Sequence, residues 1–138
     1  MIYSFNNDYS EGAHPRILQA LMETNLQQNI GYSMDLHTAH AKELIKQEIR
    51  REDVDIHMIV GGTQTNTLGI KAALRPHQAV ICAETGHINV HETGAIEAVG
   101  HKVLGQPSPD GKLTTAHIQA ALDWHTDEHI CLLYTSDA

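Results

Sequence analysis

Ile56-His57-Met58-Ile59-Val60-Gly61-Gly62-Thr63-Gln64-Thr65-Asn66 is the stretch on which the fold turns. Ile56–Val60 is an apolar run of strand length, and Thr67 to Leu74 continues as a helix. A strand, a glycine loop and a helix start in that order form a candidate phosphate cradle. Glycine lets backbone approach an anion closely, and the first helical N–H groups lack intrahelical partners and point at it. Thr63 and Thr65 add candidate hydroxyl donors. The loop is neither G-x-x-x-x-G-K-[ST] nor G-x-G-x-x-G, which argues against nucleoside triphosphate hydrolysis and leaves a dinucleotide site unsupported. A single small phosphate remains, against the plainer reading of a tight turn.

Downstream, short apolar runs alternate with helical stretches. Ala79–Cys82, Lys102–Leu104 and Ile130–Tyr134 are further strand candidates, with helices expected at about 66–74, 89–99 and 115–123. Thr114 or Thr115 is the expected cap of the last helix. This alternation predicts an α/β fold with a mainly parallel sheet covered by helices. Ligands in such sheets sit outside the carboxyl ends of the strands. GGTQTN and Ala83-Glu84-Thr85-Gly86-His87 would then face one crevice.

Upstream, the first dozen residues are polar and read as an extended arm. Pro15 suits the first turn of a helix in which Ile17, Leu18, Leu21 and Met22 share one face. After the Gly31–Leu36 loop, Thr38 is the expected cap of a helix to about Arg51, with Ala39, Leu44, Ile45 and Ile49 facing inward.

The 138 residues suit one domain of ordinary size, and 41% hydrophobic residues can supply a core, a mostly aliphatic one at 4% aromatic. A net charge of −8 speaks against a general nucleic-acid binder. There is no apolar run of membrane-spanning length, and the N-terminus lacks a secretory pattern, so a cytoplasmic setting is expected. Two cysteines make no disulfide framework, and Cys82 reads as a small buried residue. Protonating all 11 histidines would turn −8 into +3, so charge should change steeply as pH falls toward ~5.5.

Glu84 to Ala95 (ETGHINVHETGA) is dense in chemically able groups. His87 and His91 are spaced to share a helix face and could hold zinc, with Glu84 as a third ligand, but H-E-x-x-H is absent. Alternatively, His87 at a strand end offers a flat ring for stacking on a planar cofactor. His37, His40, Trp124, His125 and His129 read as surface and helix-end residues.

Asn6-Asn7-Asp8 with His14-Pro15, Gly31-Tyr32 with Asp35, GGTQTN, and His87, Glu92 and Gly94-Ala95 follow one another in a specific order. In that order and approximate spacing, over about residues 3–129, the chain resembles the threonine aldolase and aromatic amino-acid β-eliminating lyase family. These are pyridoxal-phosphate enzymes of the aspartate-aminotransferase fold. The resemblance implies part of a three-layer α/β/α large domain. It implies that Gly62, Thr63 and Gln64 hold the cofactor phosphate and that His87 stacks on the pyridine ring near the substrate hydroxyl. Asn7 would lie near the substrate carboxylate, and Tyr32 would come from a loop near a dimer's active site. The implied reaction splits threonine into glycine and acetaldehyde, in a homodimer or homotetramer.

The match covers only the N-terminal part of such an enzyme. Lys42, Lys46, Lys71, Lys102 and Lys112 do not match the family's Schiff-base lysine, and residues 130–138 do not resemble the family's continuation. The expectation is therefore an inactive fragment, comprising an arm and part of the large domain, with a non-native tail and poor stability. Other expectations are a different pyridoxal-phosphate enzyme of the same fold, such as a β-eliminating lyase, an aminotransferase or a decarboxylase, or a non-enzymatic histidine-rich metal-binding or interaction protein.

Overall fold

The computed structural model describes residues 12–127 and the backbone of 132–133. The expected arm, Asn7, Cys131, His129 and most of the 130–138 tail lie outside the described residues. The chain divides into two compact units, Met1–Met58 and Ile59–Ala138.

The first unit carries two helices, α1 (Pro15–Thr24) and α2 (Leu36–Ile49). His14 caps α1, its ring nitrogen accepting from the Arg16 N–H at 3.2 Å, with Pro15 in the first turn as expected. The cap of α2 is Asp35 rather than Thr38. One Asp35 oxygen accepts from the Thr38 backbone N–H at 2.8 Å and the other from the Thr38 hydroxyl at 2.7 Å. A carboxylate three residues ahead satisfies both donors, which Thr38 alone could not. Those bonds, the hydroxyl first, hold the Asp35 carboxyl below its ordinary range. The helix ends where Arg50 turns left-handed (φ 55°) and donates its N–H back to Gln47 and Lys46. Ile17, Leu18, Leu21 and Met22 do lie on α1, but exposed, as are Ala39, Leu44, Ile45 and Ile49 on α2. The inward-facing expectation fails because two helices with no sheet of their own cannot enclose an apolar stripe.

The second unit holds α3 (Gly62–Ala73), β1 (Gln78–Ala83), α4 (His87–Val90), α5 (Ala95–Ala98), β2 (Lys102–Gln106), α6 (Thr115–Trp124) and β3 (Leu132–Leu133). The sheet has the order β2-β1-β3 and is parallel throughout. Ala79 to Ala83 pair in register with Lys102 to Gln106, and Gln78 and Ala79 with Leu132 and Leu133. The expected strands at 79–82 and 102–104 are present and slightly longer, and the described part of 130–134 pairs as expected. Ile56–Val60 is not a strand. It straddles the boundary between the units, pairs with nothing among the described residues, and leaves Val60 fully exposed. Apolar character makes a strand only where a neighbour supplies the hydrogen-bond ladder.

Thr114 caps α6 in a reciprocal box with His117. The helix expected at 89–99 is instead two single turns, α4 and α5. Thr93 (φ 53°) and Gly94 (φ 71°) are both left-handed, which no continuous α-helix accommodates. α3 begins earlier than expected, at Gly62, and closes before Arg75-Pro76, where the residue ahead of proline is pushed out of helical geometry. Among the described residues the buried apolar ones are Ala79, Cys82, Ala83, Ile96 and Ala121. Cys82 is buried as expected; burial, with the Glu97 charge, pushes its thiol up. His101 is also buried, its Nδ1 3.2 Å from the Gln78 carbonyl.

Candidate functional site

GGTQTN forms the start of α3. Gly61 is the extended N-cap, and no side chain caps the first turn. Gly62, Thr63 and Gln64 are exposed, and a Cβ placed on Gly61 or Gly62 would meet nothing within 4 Å. Among the described residues no hydrogen bond takes up the N–H groups of this first turn, the arrangement that accepts an anion. Thr65 is not available as a second hydroxyl donor. Its Oγ1 donates to the Gly61 carbonyl at 2.9 Å, as Thr67 does to Thr63 at 2.7 Å.

His87 begins α4 one short turn, Glu84 to Gly86, after the end of β1. The turn between them depends on Gly86, whose N–H donates to the Ala83 carbonyl at 2.8 Å. A Cβ on Gly86 would lie 2.9 Å from that same oxygen and 3.1 Å from the Cys82 Cβ. Only glycine lets the chain fold this tightly against the strand it has just left. Asn89 closes the turn from the other side, donating to the Glu84 carbonyl at 2.8 Å.

Glu92 joins the two segments. Its side chain is wholly buried, whereas that of His87 is 62% exposed. Oε1 of Glu92 lies 2.8 Å from Nδ1 of His87 and accepts from Nδ2 of Asn66 at 2.5 Å. Asn66 stands on α3 just past its first turn, so a hydrogen-bonded chain runs from the glycine-headed helix through Glu92 to the exposed imidazole. Oε2 of Glu92 is buried without a partner among the described residues. The reversal at Thr93-Gly94 follows Glu92 directly, so its buried side chain belongs to the bend between α4 and α5 rather than to a helix face.

His91 stands beside His87, ring centroids 5.5 Å apart and tilted by 53°. Among the described residues, no group of three or more His, Cys, Asp or Glu side chains is placed to share a metal ion. Tyr32 belongs to the first unit, fully exposed and left-handed (φ 61°). His37 and His40 are exposed on α2, Trp124 ends α6 exposed, and His125 caps it, matching the surface and helix-end reading. The Glu92 and Asn66 roles were not anticipated from sequence. The available signal was the Thr93-Gly94 pair, which breaks the apparent helix and allows Glu92 to turn back.

A family model described as beta-eliminating lyase matches residues 12–137. The low specificity L-threonine aldolase of Pseudomonas aeruginosa is 32% identical over 117 residues, 83% of this chain and 34% of that protein. That of a Pseudomonas species is 30% identical over 127 residues, 91% of this chain and 36% of that protein. A solved structure of Leishmania major threonine aldolase superposes with a TM-score of 0.90 at 51% identity, covering 96% of this chain and 39% of that one. The chain thus spans about a third of the length of the curated relatives it matches. The parallel sheet with its helices is a partial α/β domain of the fold those aldolases share.

Proposed function

The chain belongs to the beta-eliminating lyase family, and from that premise we propose that it carries the phosphate-binding and ring-stacking side of a pyridoxal-phosphate site. The activity this site would serve is carbon–carbon cleavage of a β-hydroxy-α-amino acid, as the relatives named threonine aldolase suggest. The observation that carries this reading is the Asn66–Glu92–His87 chain, which ties an uncapped glycine-headed helix to an exposed imidazole.

Gly62, Thr63 and Gln64 hold the cofactor phosphate with their first-turn N–H groups. The open space over Gly61 and Gly62 supports this fit. His87 would be the residue that stacks on the pyridine and meets the substrate hydroxyl. Asn7 and Tyr32 serve the substrate, Tyr32 in a homodimer or homotetramer. When bound, the cofactor supplies an electron sink for the electrons of the broken bond. The chain's own residues anchor, orient and exchange a proton.

Lys71 donates to the Val99 carbonyl at 3.1 Å, while Lys46 and Lys112 sit beside Glu43 and Asp110. None of these lysines, nor Lys42 or Lys102, matches the family's cofactor-binding lysine, so the 138-residue chain does not cleave threonine on its own. A cytoplasmic setting fits; no helix of the described residues is long and apolar enough to cross a membrane.

The test is competitive binding of pyridoxal phosphate and pyridoxal to the chain. Binding at least ~10-fold tighter for the phosphorylated form, about 1.4 kcal/mol, supports the cradle. Gly62→Val should abolish the difference. Equal affinities in the unsubstituted chain refute the reading.

A further inference from the structure

Glu92 is a buried carboxylate with no lysine or arginine against it among the described residues; its one ion-pair partner there is His87. Burying such a group without full pairing costs free energy, and here one oxygen has no partner among the described residues. The other oxygen is doubly used. Because Asn66 Nδ2 donates to Oε1, that atom is an acceptor, and the His87 nitrogen facing it must be a donor. The proton of a neutral His87 ring therefore sits on Nδ1. Its Nε2 is left with a lone pair, on a ring that is mostly exposed.

We infer that Glu92 is a positioning residue: it locks His87 in the Nδ1–H tautomer, leaving Nε2 as a proton acceptor, and through Asn66 fixes the ring relative to the first turn of α3. This rests on the proposed function for its purpose, but not for its geometry. In the proposed reaction Nε2 takes the substrate hydroxyl proton. The O–H bond breaks, the N–H bond forms, and the electron pair stays on oxygen to become part of the carbonyl product. A ring with its proton on Nε2 would present a donor there and could not do this. Glu92, its side chain wholly buried, acts through His87.

The tautomer is read directly by 15N NMR of the histidine-labelled 138-residue chain without cofactor, in solution or by magic-angle spinning of sedimented protein. The His87 signals are assigned by their loss in His87→Asn. The expected result is Nδ1–H in the unsubstituted chain. Glu92→Gln, whose amide oxygen can still accept both bonds, keeps it. Glu92→Met, similar in volume but without an acceptor, shifts the ring to a mixture rich in Nε2–H. An Nε2–H ring in the unsubstituted chain overturns the inference, as does an unchanged Nδ1–H ring in Glu92→Met. A correct tautomer response together with equal binding of pyridoxal and its phosphate would sink the proposed function while sparing the inference. The reverse pair of results would do the opposite.

Discussion

Gly86→Ala is the sharpest perturbation the structure offers, because its cost is steric and local. Gly86 has φ −62° and ψ 142°, which alanine adopts freely, so no backbone strain enters. The added methyl would stand 2.9 Å from the Ala83 carbonyl oxygen, about 0.5 Å inside ordinary contact. Neither side yields easily. The oxygen already accepts the Gly86 N–H at 2.8 Å, Ala83 is held in register against Gln106, and the Cys82 side chain closes the space at 3.1 Å. Overpacking of this kind costs about 1–3 kcal/mol. For a unit of this size that is a drop of roughly 5–20 °C in melting temperature. The few buried apolar residues leave little margin, so Gly86→Ala should empty much of the folded population before denaturant is added. Trp124, the one tryptophan of the chain, reports unfolding of α6 in a urea titration. Gly62→Ala is the control. Its methyl meets nothing within 4 Å in the first turn of a helix, so stability should change by less than about 1 kcal/mol. If the two alanine variants unfold at the same urea concentration as the parent, the close approach at Gly86 does not constrain the turn, and the account of how His87 is aimed fails with it.

The unsubstituted chain should have a low urea midpoint and bind a hydrophobic dye in its native state, because Ile17, Leu21, Met22, Leu26 and Met34 are at least half exposed; a sharp transition at high urea with no dye binding would contradict this. Cys82 should resist iodoacetamide at pH 8 until the sheet opens, since burial raises its thiol above the ordinary range; peptide mapping that finds it alkylated in folded protein would count against that. By the same shift, stability should fall as the solution is made alkaline past the ordinary thiol range, and Cys82→Ala should remove that slope. Asp35, Asp53 and Asp110 have folded carboxyls held below their ordinary value by Thr38, by Arg51, and by the Lys112 N–H with the Ser108 hydroxyl. Their contribution is present above about pH 4 and lost as pH falls through the depressed values, so Asp35→Asn should flatten the acid limb of a helicity–pH curve; an unchanged limb would show that the Thr38 bonds do not form.

What could be read from the residues was whatever local pattern alone decides. The Ala79–Cys82 and Lys102–Leu104 runs, the Thr114 cap and Pro15 in the first turn of α1 each carry their instruction within a few residues. Two failures are local, the Asp35 cap and the left-handed Thr93-Gly94 pair; the others involve partners distant in sequence or absent from the described residues. Ile56–Val60 has the composition of a strand but no ladder to join. Thr38 looked like a cap until Asp35 was seen to reach both its donors. The apolar positions of α2 are correctly spaced, but spacing does not show what covers them. At the site, GGTQTN and His87 stand out because glycine and imidazole are chemically conspicuous. Glu92 looked like one more charged residue in a polar string. Its importance comes from a reversal at Thr93-Gly94 and from Asn66, 26 positions away.

β1 is the one described strand with neighbours on both sides, and the loop bearing His87 leaves from its end. β3 flanks it at Gln78 and Ala79 and β2 from Ala79 to Ala83, and a strand paired in this way fluctuates less than those at the margins, so amide exchange along it should be slowest in the unit. The imidazole is hung from the far end of this strand, where Ala83 is still paired with Gln106 of β2, by a turn that the close approach at Gly86 keeps tight. Whatever motion the surrounding segments undergo, this side chain should act as the fixed point against which a moving ligand is measured.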